Sequence, residues 1–511
     1  MSGSLLLGVD IGTSSSKGVL CDPEGTVLAT AVIEHETSFP RAGWAEHDAD
    51  GIWWSDFIAI TRQILAGQYH GADVGAVAVS AIGPCMLPMD ATGRPLRPAV
   101  LYGIDTRATA EIDLLNRQIG PEAIFNLCGM ALNSQTIGPK ILWLRRNEPE
   151  LFERTAMIHS SSDYVVFKLT GEHLIDRHTA SYFAPLFNMT TLEWDSRSAE
   201  HMIDLEKLPR LGDASDIAGG VTSQASAETG LAIGTPVTVG TIDAAAEAVS
   251  VGVQNPGDTM IMYGSTMFFL GTVEAPRPDR RMWTTAHPLP KRRAVTCGMA
   301  TSGLITSWFC DVITPGSRLV DRSTTYANLI ADATATSAGA EGLICLPYFA
   351  GERTPIHDPD ARGVFAGLTL RHTRAHLFRS ILEGIAFGAR HNLDVMTEME
   401  AAPRRLIAVG GGTRNPLWMQ VVSDITGIEQ LVPERTIGAS LGDAFIAGLG
   451  SGLISGLDVL SKEWVRIVNQ IDPNPAVKSR YDDLYETYLD LYAASKSSVH
   501  RLAKIAADSY T

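Results

Sequence analysis

At 511 residues the chain exceeds what one hydrophobic core usually serves, so two large domains are expected. Hydrophobic residues at 45% and charged residues at 19% exclude a disordered chain. A formal net charge of −16 argues against nucleic acid or an anionic membrane face as partner, so any phosphate bound here is held by local donors.

Residues 5–28, LLLGVDIGTSSSKGVLCDPEGTVL, read as strand, tight turn, strand, tight turn, strand. The first turn gathers Asp10, Gly12, Thr13, Ser14, Ser15, Ser16 and Lys17. A P-loop would need Gly directly before Lys and a helix after it, whereas Ser16 precedes Lys17 and a strand follows. A glycine-containing bend still presents backbone N–H groups, hydroxyls and an ammonium to an anion. Asp10 would repel phosphate unless a cation stood between them, which points to a Mg²⁺–nucleotide. The alternative is a hairpin with solvated hydroxyls.

Further along, GIWWSDFIAITRQILAG has helical spacing, VGAVAVSAIGPCMLPMD reads as a buried strand entering a turn, and PAVLYGIDTRATAEIDLLNRQIG as a strand running into a helix. GTPVTVGTIDAAAEAVSVGV gives a strand ending at Gly240, a bend with Asp243, and an alanine-rich helix. Residues 257–271, GDTMIMYGSTMFFLG, repeat the strand, turn, strand plan of the opening, which predicts a pseudo-duplicated chain with its boundary at 252–257. Residues 363–396 read as a turn feeding a long helix. RLIAVGGGTRNPLWMQVVSDITG then gives a strand, a glycine turn and a helix.

Gly410, Gly411 and Gly412, with Glu434 beyond, resemble the opening of a dinucleotide fingerprint, but Asn415 stands where its third glycine belongs. A turn that lets adenine approach the backbone, with Asn415 as an edge partner, accounts for the same letters. The six cysteines (Cys21, Cys85, Cys128, Cys297, Cys310 and Cys345) show no C-x-x-C pair, so reduced buried thiols and a cytoplasmic location are expected. No basic leader and no long apolar run are seen, so neither secretion nor membrane insertion is expected.

DIGTSSSK, YGSTMFF and VGGGTRN resemble the two phosphate elements and the adenosine element of the actin/hexokinase/heat-shock-70 ATPase superfamily. Residues 363–383, GVFAGLTLRHTRAHLFRSILE, resemble the carboxy-terminal signature of the FGGY carbohydrate kinases, and YFAGERTP at 348–355 is similar to the xylulokinase and gluconokinase branch. The likeness implies an α/β fold of two actin-like, ribonuclease H-like domains, each a mixed sheet flanked by helices, with an ATP and sugar cleft between them. The domains would be 1–252, with the sugar site, first phosphate turn and catalytic Asp, and 257–500, with the second phosphate turn and adenosine site.

The resemblance also implies roles for particular residues. Asp243 would be the base that takes the proton of the sugar hydroxyl, and a helix-capping Asp is the other reading of the same position. Asp10 would hold Mg²⁺ through water, and Thr13, Ser14, Ser15, Lys17 and Thr266 would meet the phosphates of ATP. Gly303 and Ser307 would touch the nucleotide, or be small residues on a packed helix, and Gly411 and Asn415 would contact adenosine. On the acceptor side stand Gly83, Pro84, Asp105, Arg107, Gln135 and Asp243. Gly83-Pro84 replace the family's Met-His, and Ala244 replaces the amide after the catalytic acid. Asp105 and Arg107 also fit a structural ion pair.

The implied reaction is ATP-dependent phosphorylation of D-xylulose to D-xylulose 5-phosphate. Gluconate, ribulose, glycerol and erythritol are alternative acceptors, and an actin-like ATP-driven conformational protein is the alternative of another class. A homodimer is common in the resembling family.

Overall fold

The computed structural model describes residues 3–200, 202–275, 277–313 and 322–508. The chain forms two compact units. One comprises Met1–Gln254, Pro278–Ala294 and Ile437–Arg466; the other comprises Asn255–Arg277, Val295–Thr436 and Ile467–Thr511. This differs from the expected division at 1–252 and 257–500. The break falls at Gln254, but two later stretches fold with the first unit.

In the first unit β1 (Leu5–Ile11), β2 (Ser15–Cys21) and β3 (Val27–Glu34) form an antiparallel meander. A helix, α1 (Ser55–Leu65), precedes β4 (Val74–Ala81), which lies parallel to β1. After α2 (Ile137–Asn147) come β5 (Ile217–Gly220), β6 (Pro236–Thr238) and the short β7 (Thr241–Ile242), which leads into α3 (Asp243–Ser250). The sheet order is β5-β6-β4-β1-β2-β3, with β7 also pairing β4.

Strand alternation sorts the core into two layers. Leu7, Val9, Ile11, Leu20, Val77 and Val79 point to one face, where Phe57 and Ile60 of α1 cover them. Leu6, Val19, Cys21, Ala76 and Ala78 point to the other. Each fully buried aliphatic side chain contributes about 1.5–3 kcal/mol, so a sheet bare on one face would forfeit much of the unit's stability.

The second unit repeats the plan. It contains β8 (Asp258–Tyr263), β9 (Met267–Val273), β10 (Arg293–Met299), α4 (Gly303–Ile313), α5 (Arg322–Thr334) and the long α6 (Arg374–Glu398). Then come β11 (Arg405–Val409), α7 (Pro416–Thr426), β12 (Gln430–Pro433) and β13 (Ile467–Ile471). The order β10-β9-β8-β11-β12-β13 puts an antiparallel partner on one side of β8 and a parallel one on the other, as for β1.

The helix α8 (Ala439–Ser451) explains the return to the first unit. Its Leu441, Ala444, Phe445, Ile446 and Ala447 complete the layer begun by Leu6, Val19 and Ala76. Helical periodicity marks α8 as a core helix, but no local pattern says which sheet it covers. All six cysteines are buried, and among the described residues none is joined in a disulfide. Among the described residues no helix is long and apolar enough to cross a membrane.

Candidate active site

The first turn of the first unit is built by the β1–β2 hairpin, closed where Gly12 N–H donates to Ser15 O at 3.0 Å. Ser14 and Lys17 are exposed and Thr13 and Ser15 half-buried, so these groups are open to an anion. Ser16 points inward, and its hydroxyl donates to Asp56 at 2.7 Å.

Asp10, at the end of β1, pairs in register with Lys17 on β2 and with Ser80 on β4. β7 also runs parallel to β4, with Thr241 opposite Ser80 and Ile242 opposite Ala81, which delivers Asp243 at the first position of α3. Glu247 follows one turn later on the same helix face. Burial, with Asp243 and Glu247 nearby, holds the Asp10 carboxyl well above the usual range, and Lys17 pulls the other way. Burial lifts Asp243 to about 6 and Glu247 to about 7, Lys17 again opposing the latter. The Asp243 carboxylate accepts the Ala244 N–H at 2.6 Å, so the helix-start role and a proton-accepting role are compatible.

Sequence reasoning missed two acids here. Glu247 accepts the Ala439 N–H at the start of α8, and Asp443 on α8 is fully buried. Ser80 Oγ donates to Asp443 Oδ2 at 2.7 Å. No periodicity singles out either acid, because each lies in an alanine-rich helix that reads as core. Among the described residues no group of three His, Cys, Asp or Glu side chains is arranged to hold a metal ion alone. The clustered carboxylates of Asp10, Asp243 and Glu247 are hard oxygen donors of the kind that suits a cation keeping water and phosphate oxygens among its ligands, as Mg²⁺ does.

On the acceptor side Gly83 and Pro84 follow β4, and a Cβ on Gly83 would stand 2.4 Å from Ile242 Cγ2, which places this turn against the residue before Asp243. Gln135 is half-buried, and its Oε1 accepts the Gly103 N–H at 2.8 Å. Asp105 and Arg107 form the ion pair that is the second reading of these positions. Arg107 contacts Asp105 at 2.6 Å and Glu46 at 2.9 Å, both side chains of the Asp105–Arg107 pair are unexposed, and the guanidinium stacks on Trp44. A carboxylate also accepting the Ala45 N–H at 2.7 Å has no lone pair directed at a sugar. Nearby Lys140 is likewise sealed: its ammonium donates to Leu101 O at 2.5 Å and Tyr102 O at 3.0 Å, and burial lowers it to about 8.

The second unit holds a cavity of about 530 Å³ lined by Tyr263, Gly303, Ser307, Tyr326, Gly411 and Trp418 among others. Three expected nucleotide residues, Gly303, Ser307 and Gly411, thus come together. A Cβ on Gly411 would meet nothing within 4 Å, so the protein itself leaves that space open. Thr266 lies half-buried on the β8–β9 turn, where its carbonyl accepts the Gly264 N–H, and does not line the cavity. Asn415 has a structural role beside the expected one. It is 2% exposed, does not line the cavity, and its Oδ1 caps α7 by accepting the Trp418 N–H at 3.1 Å. An Asn before a helix is a good cap whatever the turn binds, so the letters could not separate the two roles.

Residues 5–250 match the N-terminal domain of the FGGY family of carbohydrate kinases, and residues 259–451 match its C-terminal domain. The chain belongs to the FGGY family of carbohydrate kinases. Kinases of this family take their phosphoryl group from ATP. The chain is 28% identical to a xylulose kinase of Lactococcus lactis subsp. lactis, over 98% of each chain. It is 29% identical to a glycerol kinase of Nocardia farcinica, over 89% of this chain and 92% of the relative. The crystal structure of a xylulose kinase from Rhodospirillum rubrum superposes with a TM-score of 0.90 at 31% identity, covering 97% of this chain and all of that one. The two units, each a mixed sheet flanked by helices, are the actin-like ATPase fold of FGGY kinases.

Proposed function

We propose that this kinase transfers the γ-phosphoryl group of ATP to D-xylulose, giving D-xylulose 5-phosphate, in the cytoplasm. The observation that carries the reading is the placement of Asp243 at a strand-to-helix junction, two residues beyond Thr241, the register partner of Ser80, and beside Asp10. Likeness to xylulose kinases along nearly the whole chain supports the acceptor.

Phosphoryl transfer passes through a loose transition state, so the protein's work is alignment, charge neutralisation and removal of one proton. Asp243 accepts the proton of the attacking hydroxyl. Thr13, Ser14, Ser15 and Lys17 donate to phosphate oxygens, Thr266 meets phosphate from the second unit, and the cavity at Gly303, Ser307 and Gly411 takes the adenosine. A Mg²⁺ ion held through water by Asp10 would spread the negative charge of the transferring group.

The relatives named glycerol kinase, equally similar, favour glycerol as the second reading. An aldonate such as gluconate is disfavoured, because the two cations on the acceptor segments, Arg107 and Lys140, are both sealed by protein acceptors. The test is acceptor-dependent ADP release with D-xylulose, ribulose, glycerol, erythritol and gluconate. The highest kcat/KM on D-xylulose is expected. ADP release indifferent to every acceptor would favour an ATP-driven conformational protein instead.

A further inference from the structure

Gly8 and Asp10 project from the same face of β1, because side chains alternate along a strand. A Cβ on Gly8 would stand 1.9 Å from Ser440 O, 2.5 Å from Ala444 N and 2.9 Å from Asp443 Cβ. α8 thus lies on β1 at backbone contact, and this approach drives Asp443 into the interior beside Asp10. Asp443 is 0% exposed, and its Oδ1 is buried without a hydrogen-bond partner among the described residues.

Between the two carboxylates stands Ser80, whose hydroxyl has one proton to give. Its Oγ is 2.7 Å from Asp443 Oδ2 and 3.5 Å from Asp10 Oδ1. The first distance is a good hydrogen bond and the second is at the outer limit of one, so the proton goes to Asp443.

We propose that Asp443 is a positioning residue that draws the Ser80 hydroxyl away from Asp10, leaving the Asp10 carboxylate undivided for the cation of the metal–nucleotide complex. This rests on the reading of Asp10 given above. Without Asp443 the hydroxyl would turn to Asp10 and compete with the cation's water for the same oxygen. A residue that merely filled the interior would not alter metal affinity in this way.

The experiment measures Mn²⁺ binding to the full chain, with a non-hydrolysable ATP analogue present, by electron paramagnetic resonance, alongside the Mg²⁺ concentration for half-maximal turnover. Asp443→Ala should weaken metal binding about two- to tenfold, the effect of one hydrogen bond. Ser80→Ala combined with Asp443→Ala should recover most of that loss, because no hydroxyl remains to compete. Asp443→Asn keeps an acceptor for Ser80 and should stay within about twofold of wild type. Unchanged metal binding in folded Asp443→Ala, no recovery in the double variant, or a loss in Asp443→Asn as large as that in Asp443→Ala would each overturn the proposal. Asp10→Asn separates the two levels of the argument. If it leaves Mn²⁺ binding intact, the reading of Asp10 falls; if it weakens binding while Asp443→Ala does not, only the role of Asp443 falls.

Discussion

Arg107 grips Asp105 through parallel hydrogen bonds, Nε to Oδ1 at 2.9 Å and Nη2 to Oδ2 at 2.6 Å, with neither side chain exposed. The guanidinium carbon lies 3.9 Å from the Trp44 ring centroid and 5.1 Å from that of Trp143. This pair secures the segment after Leu101. Removing one partner of such a buried pair costs about 3–5 kcal/mol, because the other charge is left uncompensated. Arg107→Met is therefore expected to lower the denaturation midpoint sharply while leaving the order of preference among acceptors unchanged. Urea melts and the acceptor panel measure the two effects, and a reordered preference in a stably folded variant would show that Arg107 reads the sugar.

Asp243 links catalysis to pH. As the proposed base it must be ionised, so kcat should fall as pH drops through about 6 and level off above it. Asp243→Asn should reduce kcat by about two to four orders of magnitude with little change in nucleotide affinity. An Asp243→Asn enzyme turning over at the wild-type rate would falsify the assignment.

Gly411 offers a test of the cavity in the second unit. Because an added Cβ meets no protein atom, Gly411→Ala should fold with an unchanged melting temperature. Its methyl group occupies space lining the cavity, so the KM for ATP should rise about five- to thirtyfold, equivalent to about 1–2 kcal/mol. Isothermal titration with ADP checks the binding directly, and unchanged affinity would place the adenosine elsewhere.

Glu352 makes a prediction about stability and pH. Its Oε1 accepts the Ala300 N–H at 2.6 Å and the Arg353 N–H at 2.7 Å, while Oε2 is buried without a partner among the described residues. Burial lifts the group to about 8, against 4.5 for an ordinary Glu. The folded state therefore binds a proton that the unfolded state releases, and the stabilisation is complete below about 4.5 and lost as pH rises through about 8. Glu352→Gln keeps the accepting oxygen and removes the ionisation, so its melting temperature should fall less than that of wild type between pH 6 and 9. Parallel melting curves across that range would refute the account.

The β1–β2 hairpin, the Asp243 junction and the Gly410–Gly412 turn were legible because each is local. Alternation gives the strands, and the glycines and short polar residues give the bends. For Asp105, Arg107 and Asn415 the letters leave two roles open, because spacing is identical for a ligand contact and for an ion pair or a cap. Asp443 was invisible for a different reason. Its partner Ser80 is 363 positions away in the chain, and no local pattern records that meeting. The lining of the second unit's cavity is partly hidden for the same reason, since Tyr263, Tyr326 and Trp418 come from three separate segments.

The late return of α8 has a consequence for biosynthesis. The first 254 residues leave the ribosome with one face of their sheet only partly covered, because Leu441, Ala444, Phe445 and Ile446 are encoded well after them. At about 5–20 residues per second, roughly 10–40 s of elongation separate Gln254 from Ile437. During that interval the nascent chain presents Leu6, Val19, Ala76 and Ala78 to its surroundings, a surface suited to chaperone capture. A fragment ending at Gln254 would keep that exposure permanently, so the N-terminal half cannot be produced as a stable domain unless a segment equivalent to 437–466 is supplied in cis or in trans.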